Sequence, residues 1–276
     1  MAVNIQTNVA SLEAQKNVSR NQRALQSSFA KLSSGFRVNN ASDDAAGLAI
    51  SESMKSQIRS YTVAERNAGD AVSMAQTAEG ALGEVHEILG RMRELAMQSS
   101  NGGLTSTDRG YINTEFGSLQ AEVTRIQSSA KFNGNKLVNS TASTITFQVG
   151  LNNTASDKIS VTFGGVGFTT LLASTTVLSG AGATASLTAL GRIDSAIATT
   201  SGARSKFGSA MNRLQVATNN IQTMRLNLSG ANSRIRDVDV ASETTEMARN
   251  QVLSQAGISV LAQANQLPQL AFGLIG

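Results

Sequence analysis

The sequence predicts a mainly α protein: long antiparallel helices forming coiled-coil bundles from both chain ends, with a small central β-hairpin. Three observations predict it. Apolar residues recur at steps of four and three through most of both halves of the chain, the spacing of helices that pack along a seam. Two short runs near the middle alternate apolar and polar residues, the period of a half-buried strand. Aromatics make up only 4%, Trp is absent, and Ala, Ser, Asn, Gln, Leu and Thr dominate, a composition for helices lying side by side.

From the N-terminus, Ile5, Val9 and Leu12, then Leu25, Phe29, Leu32 and Phe36, keep the helical spacing. Gly35, Asn39 and Asn40 interrupt it. A long helix restarts near Ser42, which can cap, with Asp43 and Asp44 where a helix start favours negative charge. It carries Met54, Ile58, Tyr61, Ala68, Val72, Ala75, Leu82 and Leu89, and stops at "SSNGG" with Gly102 and Gly103. A third helix follows "LTSTD" with the seam Ile112, Phe116, Leu119, Val123 and Ile126. It ends at "KFNGNKL", where Asn133 and Gly134 signal a turn.

"TITFQVG" places Ile145, Phe147 and Val149 on alternate positions, and "KISVTFGG" does the same for Ile159, Val161 and Phe163. Joined by the polar "LNNTASD", they read as a β-hairpin. Residues 164–186 are rich in Gly, Ser, Thr and Ala and read as loops, with one more short strand around Thr169 to Leu172. Helix returns near Ser186. Ile193, Ile197, Phe207, Met211, Leu214, Ile221 and Leu228 share one register, with Thr200, Arg204, Thr218 and Arg225 at intervening seam positions. "SGANSRIRDVDVASETTEM" breaks or bends this helix. The last helix carries Leu253, Val260, Ala264 and Leu267, and Pro268 is expected to end or kink it.

The 276 residues suffice for one large domain or two modest ones, and 41% hydrophobic residues support a core. Net charge is +4, with bases scattered among acids rather than gathered in a stripe, which argues against nucleic acid as a partner. Without cysteine there is no disulfide, thiolate nucleophile or Cys-based metal site. The N-terminus has no basic n-region, apolar h-region or small-residue cleavage site, so no secretory signal is expected. The C-terminal run is long enough to span a membrane, but Asn250, Gln251, Gln255, Gln263, Asn265, Gln266 and Gln269 interrupt it, so no membrane partner is expected. Side chains of residues 1–12 and 250–276 carry no charge. Two chargeless amphipathic ends suggest that they pair with each other. A lone two-helix pair would leave an apolar face exposed, which predicts further partners.

"ASLEAQKNVSRNQRALQSSFAKLSSGFRVNNASDDAAGLAISESM" resembles the N-terminal signature of bacterial flagellin, and "ANSRIRDVDVASETTEMARNQVLSQAGISVLAQANQLPQ" its C-terminal signature. "RMRELAMQSSNG" and "FNGNKL" also match, so the resemblance covers residues 1–140 and 185–276. It implies a structural subunit that assembles with copies of itself into the hollow helical filament that drives swimming. It also implies a domain map: 1–42 with 237–276 as the inner-tube coiled coil, 43–138 with 186–236 as a helical shell, and 139–185 as hairpin and outward loops. Export unfolded through the flagellum's own type III apparatus to an extracellular filament is implied as well. So are a flagellar export chaperone on the C-terminal segment, a filament cap protein and hook-associated proteins.

On that resemblance, Ile5, Val9, Leu12, Leu253, Val260, Leu261 and Leu267 are the expected self-assembly residues; the missing second face and lack of charge predict that residues 1 to about 40 and about 240 to 276 become helical only on polymerisation. The family's contact with host toll-like receptor 5 maps onto Arg91, Leu95 and Glu115, a surface that filament packing also uses. No catalytic residue, metal or cofactor is expected. His86 is the sole histidine, with no HExxH motif around it, and reads as a surface or interface residue. Asp43 and Asp44 read as helix-start charges rather than a catalytic carboxylate pair. "SGAGATAS" lacks the ending of a phosphate loop. O-linked sugars on residues 139–188 fit an outward segment better than N-linked sugars at "NST" or "NNT". Two alternatives remain: a hook–filament junction protein, which shares the terminal signatures, and a membrane-active amphipathic protein, whose basic polar face is missing at the ends.

Overall fold

The structure, a computed structural model, describes residues 7–168, 178 and 183–275, with backbone alone for 183 and 267–275. These residues form α1 (Val9–Ser34), α2 (Ala45–Ser99), α3 (Ser106–Ser129), β1 (Lys131–Phe132), β2 (Asn135–Lys136), β3 (Ser143–Gln148), β4 (Lys158–Phe163), α4 (Ala183–Arg236) and α5 (Val240–Ile275). The mainly helical fold with a small strand region is as the sequence predicts. The strand expected around Thr169 to Leu172 lies outside the described residues. Contacts divide the chain into two units: Met1–Ile58 with Leu226–Gly276, and Arg59–Arg225. Both divisions fall inside helices, in α2 and in α4.

The central unit has a continuous core. On α2 the buried row is Ala64, Ala68, Ala71, Ala75, Ala78, Leu82, Val85, Leu89, Met92 and Ala96, an unbroken four-three repeat. Its first half is alanine and its second half mostly larger side chains, and Phe116 and Val123 of α3 belong to the same core. From α4 come Ile193, Phe207, Leu214 and Ile221. Strands β3 and β4 pair antiparallel with Ser143 opposite Phe163 and Gln148 opposite Lys158. This register puts Ile159, Val161 and Phe163 into the core and Phe163 against Phe207, ring centroids 5.4 Å apart. Between β1 and β2, Asn133 (φ 46°) and Gly134 (φ 82°) both take positive φ, as a two-residue hairpin of the right twist requires.

Helix ends explain the long helices' limits. α2 begins at Ala45 rather than near Ser42, because Asp44 is the cap: its carboxylate accepts from the Gly47 N–H at 2.8 Å. Asp43 stays in the loop and accepts from the N–H groups of Asn40 and Asn39, at 2.9 and 3.1 Å. Those bonds, Asn40's first, hold its carboxyl below the usual carboxylate range. α3 opens with a capping box between Thr105 and Asp108. The buried Arg109 guanidinium donates from Nε to the Ser99 carbonyl and from an η nitrogen to that of Asn101, both at 3.0 Å. It thereby satisfies the carbonyl of Ser99, which the end of α2 leaves free, and ties it to the loop that follows.

α5 does not end at Pro268; it runs on to Ile275. Proline has no N–H for the carbonyl one turn earlier, that of Ala264. The Asn8 side chain supplies the missing donor, with Nδ2 2.7 Å from the Ala264 oxygen.

Candidate assembly interface

The terminal unit is built from the pairing of α1 with α5. Contacts at Asn8–Ala264, Lys31–Glu243 and Phe36–Asp237 fix an antiparallel register that runs the length of α1. Near its centre, a Cβ built on Gly257 would stand 2.8 Å from Val18 Cγ2. Only glycine lets the two helices come this close without a shift.

The shielded positions of α5 between 240 and 266 are Glu243, Met247, Asn250, Ser254, Gly257, Leu261 and Ala264. They form an uninterrupted four-three repeat, the mark of a coiled-coil seam. Most are small or polar. α1 answers with Ser11, Ala14, Val18, Asn21, Leu25 and Ser28 at shielded positions. The seam is therefore narrow, and the bulky apolar side chains stand outside it.

The apolar residues that the sequence places on α5 divide between this seam and other faces. Ala264 faces α1, but Leu253 and Val260 do not: they are 42% and 54% exposed. Leu253, Val260 and residue 267 lie seven apart, a row beside the seam positions 254 and 261. Val252 and Ile258 are exposed on other faces of the same helix. On α1, Val9, Leu12 and Phe29 are exposed too, while Leu25 and Leu32 are half-buried. Leu261 occupies the seam, half-buried. Ile5, and the side chain of Leu267, lie outside the described residues. The pair thus exposes apolar side chains among charged ones such as Glu13, Lys16, Arg20 and Arg23 of α1, with no ionisable side chain on α5 after Arg249. Those apolar side chains are poorly matched to water and well matched to another apolar surface.

The two chain crossings next to this pair are tied together. Phe36 and Asp237 form an antiparallel bridge. The Val238 N–H donates to Gly35 O at 3.0 Å, and the Arg37 N–H to Arg236 O at 2.7 Å. Arg236 lies over the Phe36 ring, 4.6 Å from its centroid, and reaches Glu52 at 2.6 Å. Sequence reading missed this node, since its partners are distant along the chain.

On the central unit, Arg91 and Glu115 meet across α2 and α3. Arg91 Nε donates to Glu115 at 3.0 Å, and Nη1 donates to Glu94 at 2.9 Å. Glu94 first and Glu115 second raise the guanidinium's pKa further above its ordinary value. Both Arg91 and Glu115 are surface side chains, whereas Leu95 is buried, at 2% exposure. Among the described residues, no group of three or more His, Cys, Asp or Glu could hold a metal ion. No described helix is long and apolar enough to cross a membrane.

Residues 5–143 match the family model for the bacterial flagellin N-terminal helical region, and residues 190–275 that for the C-terminal helical region. A flagellin of Halalkalibacterium halodurans is 42% identical over 272 residues, covering 98% of this chain and 99% of the relative. One of Bacillus subtilis is 39% identical, covering 98% and 99%. Among solved structures, Bacillus cereus flagellin is similar with a TM-score of 0.50 and 31% identity, over 60% of this chain and 94% of that one. A flagellar hook-associated protein from Vibrio parahaemolyticus shares the fold at a TM-score of 0.60 and 16% identity, over 71% and 100%.

Proposed function

The chain belongs to the bacterial flagellin family, and from that premise we propose how its two units make a filament. It is a structural subunit of the flagellar filament, which self-assembles and serves motility. One observation carries the mechanism: the terminal pair fills its own seam with small and polar residues and leaves Leu253, Val260, Val252 and Ile258 outward. Each such side chain, once fully buried, contributes roughly 1.5–3 kcal/mol. Copies of the same chain provide that burial, with α1 and α5 lining the inner tube. Uncharged ends avoid like-charge repulsion between identical residues stacked by helical symmetry.

Residues 1–42 with 237–276 form that inner layer, 43–138 with 186–236 the helical shell around it, and 139–185 the outward part. The subunit leaves the cell through the flagellum's own export apparatus, with a chaperone on the C-terminal segment and a cap protein at the growing end. The finished filament is extracellular, joined to hook-associated proteins, and the subunit performs no catalysis. Arg91 and Glu115 offer a free monomer's polar contact to host toll-like receptor 5, and Leu95 contributes from the core behind them. Arg91→Ala or Glu115→Ala should then weaken receptor activation by folded monomer; an unchanged dose response for both removes the assignment.

Electron microscopy of the purified chain under polymerising conditions tests the main reading. Long filaments are expected. Oligomers of only a few copies would point instead to a junction protein.

A further inference from the structure

Asn8 and Pro268 lie at opposite ends of the sequence, yet one solves a problem the other creates. Pro268 sits inside α5 and cannot donate to the Ala264 carbonyl. Asn8 Nδ2 donates to that carbonyl at 2.7 Å, while Asn8 Oδ1 accepts from the Ser11 N–H at 3.1 Å and caps α1. One amide thus starts α1 and reads a single carbonyl of α5. The neighbouring Ser11 Oγ donates to Asn265 Oδ1 at 2.7 Å.

We propose that Asn8 is a positioning residue for assembly, a register key whose lock is the carbonyl left free by Pro268. The reason lies in the seam. The Val18–Gly257 contact and the Phe36–Asp237 bridge set the register at the middle and the far end of the pair; toward Asn8 the seam residues are small or polar, and packing there specifies register weakly. Ahead of the last turn of α5, where carbonyls are free in any helix, Ala264's is the carbonyl that meets no N–H one turn later. A slipped pair would leave that carbonyl without a donor, and an unmade bond of this kind is costly. Because α5 is the helix that carries the Leu253–Val260 row, its register relative to α1 decides where copies find that row.

The inference rests on the filament reading, and its test needs filaments of the native chain as reference. Without them the reading itself has failed; given them, only the variants judge the key. Asn8→Asp keeps an oxygen for the cap but sets a carboxylate against the Ala264 oxygen. Asn8→Ser keeps the cap and loses the reach. Both should raise the critical concentration for seeded elongation about tenfold, the scale of one lost hydrogen bond that leaves a partner unsatisfied. Pro268→Ala returns an N–H to the Ala264 carbonyl, and in that background the Asn8→Ser effect should shrink to about twofold or less. Register is read directly by a Ser11→Cys, Asn265→Cys pair, since the chain has no other cysteine. In filaments the pair should oxidise to a disulfide within the subunit, and Asn8→Ser should lower that yield several-fold. An Asn8→Ser effect of equal size with and without Pro268, or an unchanged disulfide yield, overturns the proposal.

Discussion

The two units of this chain differ in where their large apolar residues go. In the central unit they go inward: Leu82, Leu89, Met92, Phe116, Phe163, Ile193 and Leu214 are all fully buried. In the terminal unit, the seam takes Ser28, Asn250, Gly257 and Ala264, while Val9, Phe29, Val252, Leu253 and Val260 remain outside. The first unit completes its core from its own residues. The second is a half-core. The lesson is that a coiled coil can be narrow within one chain and apolar outside it, so that stability and assembly use different faces of the same helices.

The contrast can be broken most sharply by deleting residues 254–276. Filament growth should be lost, while the melting of the central unit shifts by less than about 0.5 kcal/mol, because no residue of its core is removed. Leu261→Asp, which sets an unpaired charge in the seam, should act in the same direction. Pelleting assays and calorimetry read the two effects separately. Next in size is the converse experiment. Phe116→Ala opens a cavity in the central core and should destabilise the monomer by about 3–5 kcal/mol in denaturant titration. A smaller effect is expected from Leu253→Ser combined with Val260→Ser. Monomer stability should change by no more than about 0.5 kcal/mol, as for surface substitutions. The critical concentration should rise at least tenfold, since the row is buried only between copies.

The smallest expected effect is on pH. In the folded chain, the side-chain bond from Thr105, followed by its backbone N–H, holds the Asp108 carboxyl below its ordinary value. Its folded pKa is thus lower than its unfolded one. The box contributes stability above the unfolded value and loses it as pH falls through the folded one. Asp108→Asn should flatten that part of the acid limb in monomer unfolding, and a variant with an unchanged limb would show that the box is not linked to folding.

The central unit was legible in the sequence because its signal is hydrophobic periodicity. The seam of α3, the face of α2 and the alternation of β3 and β4 are all written in large apolar residues. The terminal seam was not legible, for the same reason. Leu253 and Val260 stand out in the sequence, whereas the seam partners Ser254 and Gly257 next to them carry no hydrophobic signal. The caps were half legible: an acid at the start of α2 was expected, but not that Asp44 would cap while Asp43 held the loop. Pro268 read as a helix end or kink because the donor that compensates for it, Asn8, lies 256 positions from the Ala264 carbonyl it serves. Arg109 gave no sign of its role at the end of α2, since a buried arginine looks in sequence like a solvated one.

The claim that the terminal pair is completed by other copies is tested most directly by amide hydrogen exchange, measured in monomer and in filament. Residues 9–34 and 240–264 should exchange much faster than residues 64–96 in the monomer, and should approach their protection once polymerised. Terminal helices as protected in the monomer as the buried face of α2, with no gain in the filament, would contradict it.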